Sequence, residues 1–390
     1  MENVGRSAPG DRLQVPSDTY EQSGWPSGNL EFIDCGLTLF AESGGQVGGS
    51  GAGGAQPGHR RREVVVNGRR VKTIDVHAHC AVPDVIELVK GTPFERPARQ
   101  QVEGRLGFPV EAARVGDMDK DGIDVQALSI NAFWYGADRD LARRIFDLQS
   151  VKLAEMCKFM PGRFLGYAPV SLQFPELAAE QLEHGMKQLG HVGAAIGGNV
   201  AGEEIAAPRF DPFWKKAEEL QALVFIHPQT APQSTGIAKR VQGSGALGNV
   251  IGNPLETSIA LAHLIFEGTL DRFPRVKICA AHGGGFLPSY AARMDHGCSV
   301  FPDNCKGPAL KKKPSDYLKQ LYFDSLVFTG EALRHLVNEH GASQIMIGTD
   351  YAVPWVKDPV DHVLKTPGLS NAERIAILGG NAAKLMKITT

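Results

Sequence analysis

Two histidines, His77 and His79, stand one residue apart in the segment 74–80, which reads IDVHAHC. The apolar residues before them are typical of a short buried strand, and alternate side chains of a strand point to the same face. Both imidazoles should therefore project together from the end of this strand. Two neutral imidazoles on one face provide half of a transition-metal site. Because a His-x-His pair can also be structural, the interpretation depends on finding further ligands elsewhere in the chain.

Further polar residues follow other apolar runs. His227 comes after LVFI, His282 after VKICAA and Asp350 after IMIGT. The predicted metal ligands are His77, His79, His227 and Asp350. Three imidazoles and one carboxylate suit a single Zn²⁺ with one open position, and Mn²⁺ or Fe²⁺ would also accept them. His282 is then predicted to act as a general acid or base beside the metal, with a fifth ligand or a supporting role as the alternative.

Eight short apolar runs alternate with amphipathic stretches after residue 63. The predicted strands are 74–77, 125–130, 164–169, 192–196, 223–227, 276–282, 321–324 and 345–350. The predicted helices include 140–159, 176–189, 212–221, 259–272 and 331–339. This alternation predicts an α/β fold, a (β/α)8 barrel, in which all strands end at one rim that carries the active site. Asp324 also ends a predicted strand at this rim. A doubly wound open sheet is the alternative, which the lack of a GxGxxG sequence after the first strand disfavours.

Residues 1–62 differ in composition from the rest, because they contain a Gly- and Ser-rich stretch between residues 44 and 54. Such a stretch cannot bury enough apolar surface to order itself, so 1–62 are predicted to be a flexible extension and 63–390 the barrel domain. The formal net charge of -2 favours neither a nucleic-acid nor a membrane partner. The six cysteines are scattered without a CxxC pair, which predicts reduced thiols and a cytoplasmic protein.

Several segments beyond the histidines carry a resemblance to a known family. They are 118–129 (MDKDGIDVQALS), 281–285 (AHGGG), 296–297 (HG) and 348–351 (GTDY). From about residue 71 to 385 the chain resembles the amidohydrolase superfamily, in the branch that contains α-amino-β-carboxymuconate-ε-semialdehyde decarboxylase. The resemblance implies that the three histidines and Asp350 bind zinc and that His282 activates the metal-bound water. That hydroxide would add to the substrate before carbon dioxide leaves. A homodimer is also implied.

The substrate side of the resemblance is partial. Arg105 precedes the MDKDG segment at the distance of a carboxylate-binding arginine, and Arg293 matches an arginine that reaches into the partner subunit's active site. An arginine can bind a carboxylate through two parallel hydrogen bonds, although either residue could instead form a surface ion pair. Phe301 and Gln229 stand where the branch has an arginine and a tryptophan. The expected substrate is therefore a small carboxylated aromatic compound or a muconate-type ring-cleavage product.

These features together predict a metal-dependent carboxy-lyase, that is, a decarboxylase. A hydrolase of carbon–carbon, amide or ester bonds, or a hydratase of the same superfamily, is the first alternative, because such relatives use the same metal and water. Release of carbon dioxide without net uptake of water would separate the two. A non-catalytic barrel that serves as a binding module is the alternative from another class. It should lack one of the ligands or His282, and this sequence lacks none of them.

Overall fold

The computed structural model describes residues 61–103, 110–131, 133–229, 236–305 and 307–388, with only the backbone described at 236–237. Arg105 and all of the predicted extension before residue 61 lie outside these ranges. The last two residues of that extension are attached to the barrel domain. Arg61 forms an ion pair with Asp124, and the backbone N–H of Arg62 donates to the carbonyl of Asp119 at 2.9 Å.

Eight parallel strands form the centre of the fold. They are β1 (Ile74–His79), β2 (Val125–Ser129), β3 (Phe164–Gly166 and Ala168–Pro169, interrupted at Tyr167), β4 (Gly193–Gly197), β5 (Leu223–His227), β6 (Lys277–Ala280), β7 (Tyr322–Asp324) and β8 (Ile345–Met346). Each strand pairs in parallel with the next one along the chain. The ring closes because Val76 N donates to Ile347 O at 3.0 Å and Asp350 N donates to His77 O at 2.8 Å. The predicted (β/α)8 barrel is confirmed.

Helices surround the barrel. The α-helices are α1 (Val85–Leu88), α2 (Glu95–Glu103), α3 (Ala112–Asp121), α4 (Arg139–Lys158), α5 (Pro175–His184), α6 (Asp211–Leu220), α7 (Gly236–Arg240), α8 (Asn253–Phe266), α9 (Thr269–Arg272), α10 (Ala291–Val300), α11 (Pro314–Tyr317), α12 (Gly330–His340), α13 (Pro359–Lys365), α14 (Asn371–Ile375) and α15 (Asn381–Met386). Single π-helical turns span Gly185–Leu189, Gly248–Gly252 and Ala376–Gly380. Short 3-10 helices span Pro208–Phe210, His282–Gly284, Pro288–Tyr290, Pro302–Cys305, Leu318–Gln320 and Ala342–Gln344. None of the described helices is long and apolar enough to cross a membrane.

Two predicted elements differ from the structure in a way that bears on the site. The predicted helix 259–272 is two helices, α8 and α9, separated at Gly268, whose φ of 72° ends regular helical geometry. The predicted strand 345–350 retains regular pairing with β7 only at Ile345–Met346. Beyond this point the chain bonds irregularly to β1, and Asp350 adopts a left-handed φ of 57°.

The barrel strands are packed on both faces. Every residue of β1, β2, β4 and β5 is buried, as expected for parallel strands between an inner core and an outer ring of helices. Gly193 shows how close neighbouring strands lie, because a Cβ atom there would stand 1.9 Å from the carbonyl oxygen of Leu223. The strand ends are therefore held rigidly, which favours a site built on them.

One prediction about the cysteines is wrong. Cys298 and Cys305 form a disulfide bond between the end of α10 and the short helix Pro302–Cys305. The chain turns back at Phe301, which brings the two Cα atoms to 5.5 Å, a separation that a disulfide can bridge. The seven-residue spacing gave no sign of this pairing because it depends on the turn. The described free cysteines are Cys80, Cys157 and Cys279.

Candidate metal centre and active site

Four side chains meet at the mouth of the barrel. His77, His79, His227 and Asp350 are buried, and their potential ligand atoms all lie within 4.8 Å of one another. Asp350 Oδ1 is 2.7 Å from His79 Nε2 and 3.2 Å from His77 Nε2. The structure thus brings together the four residues that the sequence predicts as ligands, from β1, the end of β5 and the segment after β8.

Each imidazole has an oxygen beside its outer nitrogen. The pairs are His77 Nδ1 with Asp324 Oδ2 at 2.6 Å, His79 Nδ1 with Ser129 Oγ at 3.0 Å, and His227 Nδ1 with Pro228 O at 2.9 Å. An Nδ1–H that donates to such an oxygen leaves the lone pair of Nε2 available to a metal. We therefore infer that all three histidines offer Nε2. Partners of this kind fix both the tautomer and the ring orientation of a ligand.

Asp324 connects one ligand with His282. Its Oδ2 contacts His77 Nδ1 and also accepts from the backbone N–H of His282 at 2.9 Å, while Oδ1 accepts from Gly283 N at 2.8 Å. Burial disfavours its ionisation, but the hydrogen bond from His77 and the further donors lower its pKa below the usual value. Its position at the end of β7 could be predicted, whereas its role required the distance to His77.

The sequence did not reveal the part played by Ser129, the last residue of β2, and by Asn131, which follows two residues later. The side-chain nitrogen of Asn131 lies 3.1 Å from His227 Nδ1, and its side-chain oxygen accepts from Ser129 Oγ at 3.1 Å. Asn131 thus connects Ser129, which contacts His79, with His227. The available signal was a polar residue at the end of an apolar strand and another two residues later, at the same rim.

The charge states of the four ligands suit a cation. Burial lowers the pKa of His79 to about 4 and that of His227 well below its usual value, so both imidazoles are neutral at neutral pH. Although burial opposes it, the carboxylates of Asp350 and Asp324 raise the pKa of His77 to about 10. Asp350 has a pKa well below the usual value despite its burial, because His77 and His282 stabilise its charge.

The donor set passes a chemical test for metal binding. Asp350 Oδ2 is buried and has no hydrogen-bond partner, which is costly for an ionised carboxylate. A divalent cation would complete the coordination of this oxygen and replace the proton on His77 as the balancing charge. Three imidazoles with one carboxylate are ordinary ligands for zinc and related ions. The four side chains therefore form a site that fits a divalent metal ion.

His282 faces this cluster from the side of the solvent. Its Nε2 is 3.7 Å from Asp350 Oδ2, and its ring centroid is 5.2 Å from that of His77 and 5.3 Å from that of His227. The His282 side chain is 14% exposed, whereas that of Asp350 is 1% exposed. His282 can therefore exchange protons with solvent and with a group held at the cluster, as its predicted acid–base role requires.

Three glycines give His282 this position. Gly283, Gly284 and Gly285 all have positive φ, a conformation that glycine adopts without steric cost. Cβ atoms at these three positions would lie 2.5 Å from Val327, 2.6 Å from Phe323 and 2.1 Å from the backbone of Pro254, respectively. The turn after β6 can therefore pack against neighbouring segments only because it lacks side chains.

Two further titratable groups lie near the centre. Cys80 is buried, which raises the pKa of its thiol to about 12, and it does not belong to the ligand cluster. Glu256 on α8 was not predicted. Its Oε1 accepts from Gln229 N at 2.8 Å and from Asn199 Nδ2 at 3.1 Å, whereas its buried Oε2 has no partner. Burial raises the pKa of Glu256 to about 8.

The structure does not bring Arg293, one of the two predicted substrate-binding residues, to the metal centre. Arg105 lies outside the described residues. Arg293 is exposed on α10 and lines a surface groove of about 430 Å³ with Tyr290, Met294 and Phe301, among others. None of the four ligands is among the residues that line this groove. The carboxylate-binding roles of Arg105 and Arg293 stay predictions.

The fold and the site together define a class of protein. A closed (β/α)8 barrel with a His-x-His pair on β1, a third histidine on β5, an aspartate after β8 and a histidine after β6 is a metal-dependent barrel enzyme with its site at the carboxyl ends of the strands. The chain belongs to the amidohydrolase family, whose model, described as Amidohydrolase, matches residues 74–388. The family resemblance predicted from the sequence is confirmed.

Two curated relatives are similar over most of their length. The 2-amino-3-carboxymuconate-6-semialdehyde decarboxylase of Dictyostelium discoideum is 30% identical over 298 residues, which cover 74% of this chain and 81% of the relative. The gamma-resorcylate decarboxylase of a Polaromonas species is 32% identical over 307 residues, which cover 74% of this chain and 90% of the relative.

Solved structures share the fold. The 5-carboxyvanillate decarboxylase of Sphingomonas paucimobilis superposes with a TM-score of 0.74 at 23% identity and covers 82% of this chain and all of its own, 100%. The dihydroxybenzoic acid decarboxylase of a Polaromonas species superposes with a TM-score of 0.69 at 28% identity and covers 81% of this chain and 97% of its own. The latter structure contains bound manganese and the inhibitor 2-nitroresorcinol.

Proposed function

We propose that this chain is a metal-dependent decarboxylase that acts on a small carboxylated aromatic compound or a muconate-type ring-cleavage product. The observation that carries the proposal is the buried cluster of three imidazoles and one carboxylate with His282 beside it. The two curated relatives are both named as decarboxylases. They do not favour the alternatives from the same superfamily, a hydrolase or a hydratase.

The proposed cofactor is one divalent ion, held by His77, His79, His227 and Asp350. Zinc is the ion we propose, because three histidines and a carboxylate are typical of zinc enzymes. Mn²⁺ is supported by the manganese in a related structure, and Fe²⁺ also accepts these ligands. When bound, the ion supplies Lewis-acid charge that polarises oxygen atoms next to the reacting carbon.

His282 and Asp350 are the proposed catalytic residues. When the carbon–carbon bond to the leaving carboxylate breaks, its electron pair stays on the substrate carbon, which must then receive a proton. His282 Nε2 lies at the open side of the cluster and can deliver that proton as a general acid. Asp350 remains ionised, and its buried Oδ2 faces His282 at 3.7 Å, where it stabilises the protonated imidazole.

The proposed substrate contacts are Arg105 and Arg293, with Arg293 acting across the interface of a homodimer. Exposed apolar side chains line the same groove as Arg293: Tyr290 is 59% exposed and Phe301 62%. An exposed apolar surface of this kind is typical of an interface with another protein. The dimer would place the arginine of one subunit at the site of the other. A cytoplasmic location is also proposed, and the Cys298–Cys305 disulfide is the observation against it.

The test is a paired measurement of metal content and product. The purified protein is analysed for bound metal and then incubated with carboxylated benzoates and muconate-type acids. We expect one divalent ion per chain and one carbon dioxide for each substrate consumed. Enzyme stripped with a chelator serves as the control and should regain activity when the metal is restored. Consumption of substrate with uptake of water and without carbon dioxide would show that the hydrolase alternative is correct.

A further inference from the structure

We propose that a buried chain of three side chains, Arg114, Gln126 and Asp75, positions the metal ligands of β1 and of the segment after β8. We call it the positioning chain. Its members act on the backbone around the ligands and are placed neither on the metal nor on the substrate. The inference rests on the proposed metal site and deepens it, because it concerns how the site is assembled rather than what binds there.

Gln126 on β2 joins the two charged ends of the positioning chain. Arg114 Nε donates to Gln126 Oε1 at 2.8 Å, and Gln126 Nε2 donates to Asp75 Oδ2 at 3.0 Å. A guanidinium can only donate and an ionised carboxylate only accepts, so the orientation of the Gln126 amide is unambiguous. All three residues are at most 1% exposed. In such a low-dielectric environment, breaking the bridge would cost each of the two buried charged groups one of its hydrogen bonds.

Arg114, at one end of the positioning chain, contacts His79 and Tyr351, the residue after Asp350. Arg114 Nη1 donates to the carbonyl oxygen of His79 at 2.6 Å. Its guanidinium carbon lies 4.6 Å from the centroid of the Tyr351 ring, a distance at which a cation interacts favourably with an aromatic face. His79 N in turn donates to Tyr351 O at 2.7 Å. The cation therefore ties the end of β1 to the residue that follows Asp350.

Asp75, at the other end of the positioning chain, contacts His77 and Thr349, the residue before Asp350. Asp75 Oδ1 accepts from His77 N at 3.0 Å and from Thr349 N at 3.1 Å. Asp75 Oδ2 accepts from Thr349 Oγ1 at 2.6 Å. One carboxylate thus bonds to both segments that carry ligands.

Regular strand pairing does not set the position of Asp350 relative to the ligands of β1. The ladder between β7 and β8 ends at Met346, and Asp350 has left-handed backbone geometry that no strand provides. Three of the four ligands lie on β1 and on this irregular segment. The positioning chain bonds on both sides of them, so it sets their relative position before a metal binds. Residues that orient metal ligands typically change metal affinity by about 10–100-fold when they are replaced.

The test compares two buried glutamines. Gln126→Met keeps the length of the side chain and removes both hydrogen bonds of the bridge. The matched control is Gln149→Met on α4, where an equally buried glutamine accepts from Trp134 Nε1 at 3.2 Å, away from the ligands. For each metal-free protein, the dissociation constant for Zn²⁺ and Mn²⁺ is measured by competition with a chelator. The melting temperature, kcat and KM are measured alongside.

We expect Gln126→Met to bind metal about 10–100-fold more weakly and to lose kcat with little change in KM. Gln149→Met should lower the melting temperature and leave metal affinity unchanged. The inference is overturned if Gln126→Met binds metal like the wild type. It is also overturned if both variants weaken binding equally, because the loss of affinity would then come from a general loss of stability.

A milder variant covers the case in which Gln126→Met does not fold. Arg114→Lys keeps the charge, but a single ammonium group cannot reproduce the two directed hydrogen bonds to Gln126 and His79. We expect folded Arg114→Lys to bind metal several-fold more weakly than the wild type, and unchanged affinity contradicts the inference. Failure of the proposed function looks different. The wild type would then bind one metal ion and release no carbon dioxide, or bind no metal at all.

Discussion

The two halves of the candidate active site are built differently. On the metal side, four ligands are almost completely buried, and each histidine has an oxygen partner that orients its ring. On the substrate side, Arg293 is exposed on α10, and Phe301 next to the disulfide is 62% exposed. The metal half is complete within one chain. The proposed substrate half has Arg293 on an outer surface, where the second subunit of the proposed dimer would use it.

Because of this difference, we expect metal binding and turnover to depend on different parts of the protein. Metal binding should depend on the barrel core of one chain and should be insensitive to self-association. Turnover should depend on both halves. Variants of the metal half should therefore change metal content, whereas variants of the α10 surface should change substrate affinity and leave the metal in place.

The largest effect is expected from removal of the ligands on β1. Replacement of both His77 and His79 by alanine leaves one imidazole and one carboxylate, too few to hold a divalent ion tightly. We expect complete loss of bound metal and of activity, measured by elemental analysis and by carbon dioxide release. His335→Ala, at an exposed position on α12, is the control and should retain both. A double variant with full metal content would show that the ligand assignment is wrong.

Replacement of His282 should separate chemistry from metal binding. Positioned proton transfer typically contributes about 10²–10⁴-fold to the rate, or roughly 3–5 kcal/mol of barrier. His282→Ala should lose kcat by about this factor, and its pH–rate profile should lose one limb. Its metal content and melting behaviour should stay close to those of the wild type. If the purified variant contains no metal, His282 is a ligand and not the acid–base residue.

Replacement of Arg293 should affect the substrate half alone. Loss of a charge-assisted hydrogen-bond pair to a carboxylate costs about 1.5–3 kcal/mol, which corresponds to roughly 10–150-fold in kcat/KM. Arg293→Ala should keep its metal. Mixed with His282→Ala chains, it should regain activity in up to about a quarter of the sites, because a mixed dimer contains one intact site. Confirmed mixed dimers without any regained activity would exclude action across the interface.

Replacement of Glu256 should have the smallest effect, and this effect should be on stability. Burial raises its pKa in the folded protein to about 8, so the folded state holds a proton that the unfolded state releases above its ordinary value of 4.5. Ionisation of this group therefore destabilises the fold progressively as the pH rises from about 4.5 to 8. Glu256→Gln should remove this loss and melt at a higher temperature than the wild type at pH 8, with little difference at pH 5. Parallel melting curves at both pH values would contradict the raised pKa.

Much of the metal half could be predicted because each residue is indicated by the short stretch of sequence around it. A histidine or aspartate directly after a short apolar run indicates a strand end, and parallel strands place their ends at one rim. Asp350 was placed correctly although its segment is not a regular strand. The prediction that His282 is not a ligand rests on counting the donors needed to complete one metal site.

The remaining parts depend on distances across the fold. Gln126 lies within a segment that carries the family resemblance, yet its bridge between Arg114 and Asp75 joins residues that are 39 positions apart in the chain. Glu256 reaches the end of β5 from a helix that follows a long connection. The Cys298–Cys305 disulfide depends on the turn at Phe301. No spacing rule links such residues, because their contacts come from packing rather than from the period of a strand or helix.

The left-handed backbone at His282 and Asp350 has a consequence for how this protein could evolve. His282 has a φ of 56° and Asp350 a φ of 57°. Residues other than glycine lose about 1–2 kcal/mol in this conformation, although histidine and aspartate adopt it more readily than most. A change of either residue to glycine would therefore relax the backbone and remove a side chain that the proposed reaction requires. Mutational drift toward a more stable but inactive barrel is thus energetically downhill at two positions of the rim. Only selection for activity opposes it, so inactive descendants of such a chain should arise there first.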